Sequence, residues 1–213
     1  HKEYRRQRQM CIRDSYGLKR TTWVDERRDP IKSTRAAARH LSHLYNLFGD
    51  WRLVITAYNC GQGRLDRAIR QAGTENFWQI DVLPRETQNH LPKYMAALLI
   101  SRDPRFFGIH NLTYAEPLAY DVVKVSEPVD MRNGAECAGT TYERMRELNP
   151  ELRLGYSPPL TTRKFYPLRV PIGTSDRFIR RWASLPEARK VQLVEYKVRA
   201  GQTVSHIARE LSV

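Results

Sequence analysis

Apolar residues recur at three- and four-residue steps from Ser33 onward, the spacing of a helix with one buried face. Ser33 or Thr34 can cap the start of this helix, and Gly49 can end it. The apolar face consists of Ala37, Leu41, Leu44, Tyr45 and Phe48. The pattern therefore predicts a first helix that ends just before Gly49.

Three further helices follow in the same region. The segment from Trp51 to about Asn59 is apolar on nearly all sides, which predicts a helix buried all round at the centre of a domain. A third helix is predicted over 64–72, and a fourth from Glu86 to about Ser101, in which Pro92 should cause a kink or split off the first turn. Residues 16–108 are therefore predicted to form one all-α domain.

Beyond residue 108 the pattern becomes mixed. Two β-like segments, "YDVVKVSEPVDM" and "FYPLRVPIG", flank a short helix over 142–148. This predicts a small α+β module over 109–175, followed by a helical linker over 176–193. The tail, 194–213, has a strand pattern, a Gly-Gln-Thr turn and a helix that starts at Thr203. One strand and one helix cannot bury their apolar faces alone, so the tail is predicted to be an incomplete module.

Composition and charge narrow the class of protein without deciding it. The 213 residues are 41% hydrophobic and carry a formal net charge of +13, which is typical of a globular chain and not of a disordered one. The positive charge is compatible with solubility alone, or with a polyanion such as nucleic acid, anionic lipid or a bacterial wall polymer. The three cysteines form no CxxC pair and have no metal-ligand spacing, so they indicate neither a disulfide nor an oxidising compartment.

Three motifs in the helical region occur in a fixed order. They are "RRDPIKSTRAAARHLSHL", "AYNCGQGR" and "LPRETQNHLPK". Together they resemble the lytic murein transglycosylases, specifically the membrane-bound type D branch with its lysozyme-like fold. The fold class that this resemblance implies is a mainly α, partial lysozyme-like domain, followed by a small α+β module.

The resemblance implies a set of substrate-binding residues: Tyr58, Asn59, Gly61, Gly63 and His90. The polar ends of Tyr58 and Asn59 would be fixed at the end of a buried helix, where they suit hydrogen bonds to the N-acetyl and hydroxyl groups of a glycan. The two glycines would let a sugar ring approach the backbone and allow positive φ, although a plain helix–helix turn explains them equally. His90 stands where the family has a Tyr that contacts the catalytic carboxylate.

The second half of the chain resembles glycan-binding modules. The middle unit is similar to the degenerate glycan-binding-like region that follows the catalytic domain in this branch. The tail "YKVRAGQTVSHIA" is similar to the start of a LysM module, which binds N-acetylglucosamine polymers. The matching positions are Tyr196, Val198, Gly201, Thr203, Ile207 and Ala208. Only the first half of a LysM pattern is present, so we predict a truncated module over 194–213.

The opening stretch, 5–15, has neither a helical nor a strand period. All eleven of its residues match the translation of a transposase adapter that is used to fragment DNA for sequencing. We therefore interpret residues 1–15 as an artefact and the chain as a gene fragment. In this family the general acid is a Glu in an E-S-x-[FY] motif upstream of the "YGL" at 16–18, and the 213 residues contain no Glu-Ser pair. No catalytic residue is therefore assigned.

The resemblance implies a reaction on peptidoglycan. One Glu would protonate the leaving oxygen of the MurNAc-β-1,4-GlcNAc bond and would then act as base on the muramyl 6-hydroxyl, which attacks C1 to give a 1,6-anhydro product. Acid–base catalysis with this internal nucleophile needs no metal or organic cofactor, so none is expected. We expect this chain to be inactive, because that Glu is missing. Its implied partner is the peptidoglycan glycan strand and its implied location the periplasm, with an outer-membrane anchor left open.

Two other classes of function stay open. The first is a non-catalytic peptidoglycan-binding protein, with a goose-lysozyme-like hydrolase as a variant of the enzyme interpretation. The second is a nucleic-acid-binding protein, which the charge alone suggests. Lys and Arg are spread over the helices without the interleaved aromatic residues of a nucleic-acid module, so we expect no nucleic-acid partner.

Overall fold

The computed structural model describes residues 16–160, 164–190, 198–199 and 201–210 of the chain. These residues divide into two compact units. Unit 1 comprises residues up to 21 and 25–118, and unit 2 comprises 22–24 and 119 onward. Unit 1 is helical and unit 2 combines helices with a two-stranded sheet, which confirms the predicted order of an α domain and an α+β module.

The described residues of unit 1 form four α-helices: α1 Pro30–Phe48, α2 Trp51–Cys60, α3 Gln62–Ala72 and α4 Arg85–Arg102. Helix α1 begins one turn before the predicted start, because Asp29 caps it. The Asp29 carboxylate accepts hydrogen bonds from the backbone N–H groups of Ile31 and Lys32, both at 2.9 Å. Pro30 suits the first helical position, where its missing N–H is not needed. The predicted cap at Ser33 or Thr34 is therefore wrong.

Ten buried residues form the apolar cluster of unit 1. They are Leu44, Leu53, Val54, Ala57, Leu65, Ala68, Phe77, Ile80, Leu83 and Leu91. Helix α2 supplies three of them, as its apolar sequence predicts. The prediction that α2 is buried all round is nevertheless wrong, because 55% of the Trp51 surface is exposed.

Helix α4 continues without a break across Pro92, so the predicted split is not observed. Only Thr87 and Leu91 of its 18 residues are buried. Its second half exposes four large apolar side chains, Tyr94, Met95, Leu98 and Leu99. This helix therefore contacts the apolar cluster of unit 1 only through its first two turns.

Unit 2 is built on an antiparallel pair of strands, β1 Tyr120–Val125 and β2 Tyr166–Pro171. The register pairs Tyr120 with Pro171 and Val125 with Tyr166. Buried and more exposed positions alternate along β2, as expected for strands with one covered face. Helices α5 Met131–Ala138 and α6 Tyr142–Leu148 lie between the strands in the chain, and the predicted bounds of α6 are confirmed.

A third helix of unit 2, α7 Ser175–Ala183, follows β2. It buries Phe178 and Trp182 in the apolar cluster of the unit, with their rings stacked at a centroid distance of 5.9 Å. The Trp182 indole N–H donates to the Glu127 carboxylate at 2.7 Å. The range assigned to a linker, 176–193, therefore contains a helix that belongs to the core of unit 2.

The final helix, α8 Val204–Glu210, starts where the tail pattern predicts. Gly201 has a φ of +87°, which fits the predicted turn, and the Thr203 hydroxyl accepts a hydrogen bond from the His206 backbone N–H at 3.3 Å. The predicted strand before this turn lies mostly outside the described residues. The interpreted adapter stretch also lies outside them.

Candidate functional site

The candidate site begins at the turn between α2 and α3. Gly61 has a φ of +91° and ends α2 through a hydrogen bond from its N–H to the Ala57 carbonyl at 2.7 Å. The prediction of positive φ is confirmed at Gly61 and wrong at Gly63, which lies inside α3 with ordinary helical φ. Among the described residues, and apart from adjacent backbone, a methyl group at either position would have no atom within 4 Å. The backbone of this turn is therefore open to a ligand.

Asn59 lies in the last turn of α2 and only 8% of its surface is exposed. The Thr87 hydroxyl, from the first turn of α4, donates to Asn59 Oδ1 at 3.1 Å. Within the described part of the chain, Asn59 Nδ2 donates to no acceptor. An unused buried donor is costly, typically by about 1–3 kcal/mol, unless a ligand or water accepts from it.

Tyr58 precedes Asn59 and is half-buried in an aromatic group. Its ring lies 5.8 Å from the His40 ring, and the Tyr16 hydroxyl lies 3.2 Å from His40 Nδ1. Burial, and secondarily the charge of nearby His43, lowers the pKa of His40. His40 therefore favours its neutral form beside Tyr58.

His40 and Tyr16 are not among the site residues that the sequence predicted. A signal for His40 was present, because it lies three residues after Ala37 and four before Leu44, on the apolar face of α1. A polar residue at such a position deserves consideration as a site residue. Tyr16 gave no comparable signal, since it reaches His40 only through the tertiary fold.

His90 is half-buried on α4, three residues after Thr87. Residues three apart lie on the same side of a helix, so His90 is one turn from the Thr87–Asn59 hydrogen bond. The local sequence brings Tyr58, Asn59 and Gly61 together, and tertiary packing adds Thr87. The contact of His90 with a catalytic carboxylate stays a prediction.

The described residues contain neither a metal-ligand cluster nor a membrane-spanning helix. Among the described residues, no group of three or more His, Cys, Asp or Glu side chains is placed to hold a metal ion. In the same part of the chain, no helix is both long and apolar enough to cross a bilayer.

Comparison with known protein families matches both units. Residues 12–80 match the transglycosylase SLT domain, and residues 119–187 match the LysM-like domain of lytic transglycosylase MltD. The chain therefore combines an SLT transglycosylase domain with a LysM-like domain of the MltD type. The helical part is thus the lysozyme-like domain that the sequence predicts, and unit 2 is the LysM-like domain.

Similar proteins point to the same branch. Over 211 residues the chain is 31% identical to membrane-bound lytic murein transglycosylase D of Escherichia coli strain K12, and equally to that of E. coli O6:H1. The alignment covers 93% of this chain and 46% of each relative. The chain therefore spans about half the length of the curated relatives it matches.

The bounds of the two family matches can be compared with the predicted site residues, the interpreted adapter stretch and helix α7. The SLT match contains Tyr58, Asn59, Gly61 and Gly63 and ends before His90. It starts at residue 12, within the stretch interpreted as adapter, and that interpretation stays a prediction. The LysM-like match includes α7, in agreement with the burial of this helix in unit 2.

Proposed function

We propose that the α2–α3 turn of this lytic transglycosylase chain binds the N-acetylated glycan strand of peptidoglycan. The observation that carries the proposal is the Asn59 amide. Its Oδ1 accepts from Thr87, while its Nδ2 group is buried and donates to no acceptor among the described residues. The carbonyl oxygen of an N-acetyl group is a suitable acceptor for this donor.

The surrounding residues support a sugar ligand. Gly61 and Gly63 leave the backbone open, so that a pyranose ring can approach without a side chain in its path. Tyr58 offers a half-buried aromatic ring beside the amide, and His90 lies one turn from Thr87 on α4. The LysM-like unit 2 would provide additional affinity for the same strand.

The family matches support a proposal for the activity of the whole protein. We propose that it cleaves MurNAc-β-1,4-GlcNAc bonds in the periplasm by the anhydro-forming reaction and that it is anchored to the outer membrane; the relatives' description as membrane-bound supports the anchor. That reaction needs a general acid. Because the 213 residues contain no Glu-Ser pair, we propose that the chain itself binds glycan without turnover.

Binding is tested with β-1,4-linked N-acetylglucosamine oligomers and with purified sacculi. Asn59→Asp keeps the acceptor for Thr87 and removes the Nδ2 donor, so we expect its affinity to fall about 10-fold or more, since one hydrogen bond contributes about 1.5 kcal/mol. The matched control is Asn46→Ala, which changes an exposed Asn on α1. Equal affinity for Asn59→Asp and the unmodified chain would contradict the proposed site.

Turnover is tested separately. The purified 213-residue chain is incubated with sacculi, and soluble products are analysed for 1,6-anhydro-muropeptides. We expect none above the level of a sample without protein. Their release would show that a general acid other than the family Glu is present.

A further inference from the structure

The last turn of α1 and the first turn of α2 together present an aromatic pair to solvent. Tyr45 and Trp51 are 40% and 55% exposed, and their ring centroids lie 5.0 Å apart with an angle of 32° between the planes. A Trp at a predicted core position normally loses most of its exposed surface on folding. This pair instead forms a broad aromatic surface, which we call the Tyr45–Trp51 platform.

The platform lies on the same side of α2 as Tyr58. Trp51 and Tyr58 are seven residues apart, which is almost two full turns of a helix and a rise of about 10 Å. Helix α1 supplies the second ring at each end, because Tyr45 pairs with Trp51 and His40 pairs with Tyr58. Two aromatic pairs therefore follow one another along α1 and α2.

A charged pair borders the platform. The Asp50 carboxylate accepts from the backbone N–H of Arg52 at 2.8 Å and from its guanidinium at 2.7 Å. The hydrogen bonds and charge of Arg52 lower the pKa of Asp50. Both side chains keep solvent exposure, 30% for Asp50 and 52% for Arg52. They therefore remain able to bind polar groups at the edge of the platform.

We propose that the Tyr45–Trp51 platform is a second sugar-binding subsite, on which a pyranose of the glycan strand stacks about 12 Å along α2 from the Asn59 site. This inference rests on the proposed function. A pyranose has an apolar C–H face for the rings and hydroxyl groups at its edge for Asp50 and Arg52. Tyr and Trp suit such a ligand because they offer large rigid surfaces at low entropic cost.

The Asp50–Arg52 ion pair at the edge of the platform favours a sugar as the ligand over an apolar segment of another protein. A segment that covered the rings would also remove water from the neighbouring ion pair, and that desolvation opposes binding. A sugar leaves the pair hydrated or replaces water with its hydroxyl groups. Burial by another protein segment is the alternative that the experiment tests.

The experiment measures affinity as a function of oligomer length, using the disaccharide and the hexasaccharide of β-1,4-linked N-acetylglucosamine. For the unmodified chain we expect the hexasaccharide to bind more tightly, because it reaches both subsites. Trp51→Ala should weaken hexasaccharide binding about 10-fold, equal to about 1.4 kcal/mol, and leave disaccharide binding unchanged. Unit 2 is the same in both proteins, so its contribution cancels.

Trp78→Ala is the matched control. Trp78 is 57% exposed in the same unit, but its neighbour Phe77 packs edge-on against it at an angle of 79°. It therefore controls for loss of an exposed indole outside the platform. We expect its affinity for both oligomers to equal that of the unmodified chain.

A second readout needs no variant that alters folding. The indole N–H resonance of Trp51, assigned with Trp51→Phe, should shift on addition of the hexasaccharide and not of the disaccharide. A resonance that is unmoved by the hexasaccharide, or an unchanged length dependence in Trp51→Ala, overturns the subsite and leaves the Asn59 proposal intact. If the unmodified chain binds neither oligomer nor sacculi, the proposed function itself fails.

Discussion

The two units bury their apolar residues to different extents. The described residues of unit 2 form a cluster of 14 buried residues, and those of unit 1, although more numerous, form a cluster of 10. The contrast is clearest between α7, which buries Phe178 and Trp182, and α4, which exposes Leu98 and Leu99. An apolar helical sequence therefore predicts a helix better than it predicts what covers the helix.

The units also differ in their buried asparagines. In unit 2, Asn149 Nδ2 donates to the carbonyls of Met145 and Arg169, and Oδ1 accepts from the Arg169 N–H at 2.9 Å. Both ends of the Asn149 side-chain amide therefore bond to backbone groups of unit 2. In unit 1, Asn59 uses only Oδ1 in this way. A buried amide that the fold satisfies is structural, and one with an unused donor is a candidate for ligand binding.

The largest expected effect is in the core of unit 2. Phe178→Ala removes a ring that is 1% exposed and should lower the free energy of unfolding by about 3–5 kcal/mol. The control is Ile179→Ala, the next residue of α7, which is 52% exposed and should change it by less than about 0.5 kcal/mol. Urea unfolding measures both. Similar losses for the two variants would contradict the packing of α7 described above.

Asn149→Ala should have the next largest effect. It removes the hydrogen bonds of the Asn149 side chain to both backbone groups of Arg169 and to the Met145 carbonyl, so we expect a loss of about 2–3 kcal/mol in the free energy of unfolding. Asn59→Ala should cost about 1 kcal/mol, because only one hydrogen bond is lost. Urea unfolding of both variants tests the order, and a larger loss for Asn59→Ala would reverse the comparison.

Thr87→Val tests the one tertiary hydrogen bond to Asn59. The substitution keeps the side-chain shape and removes the hydroxyl donor, so we expect about 1 kcal/mol less stability and weaker binding of N-acetylglucosamine oligomers. Thr87→Ser, which keeps the hydroxyl, should restore binding. If Thr87→Val and Thr87→Ser bind the oligomers equally well, Thr87 does not position the Asn59 amide.

The smallest effect concerns pH. Burial lowers the pKa of His40 below its ordinary value of 6.5, so the unfolded chain binds this proton more readily than the folded chain. Stability contributed by neutral His40 is present above pH 6.5 and is lost as the pH falls below it toward the lowered pKa. His40→Gln should therefore lose less stability than the unmodified chain between pH 7.5 and 5.

Urea unfolding at the two pH values measures this difference. His110→Gln, which changes an exposed histidine of the same unit, serves as the control and should behave like the unmodified chain. A pH dependence in His40→Gln equal to that of the unmodified chain would contradict the role assigned to burial.

Much of the local structure follows from the sequence. The existence and approximate bounds of α2, α3 and α4, the bounds of α6 and the start of α8 were all predictable, because helical spacing and capping residues act over a few positions. The start of α1 was predictable in principle, since Asp29 and Pro30 form a stronger capping signal than Ser33. The prediction of positive φ was correct for Gly61, whereas Gly63 adopts a helical conformation.

By itself the sequence determined the family resemblance, the order of the two units and most of their helices, because these depend on local spacing and short motifs. The tertiary structure alone decided that Thr87 contacts Asn59 across 28 residues and that Tyr16 reaches His40. It also decided that Trp51 is exposed while Phe178 is buried. Each of these depends on which distant elements pack together, and helical periodicity contains no information about the partner of an apolar face.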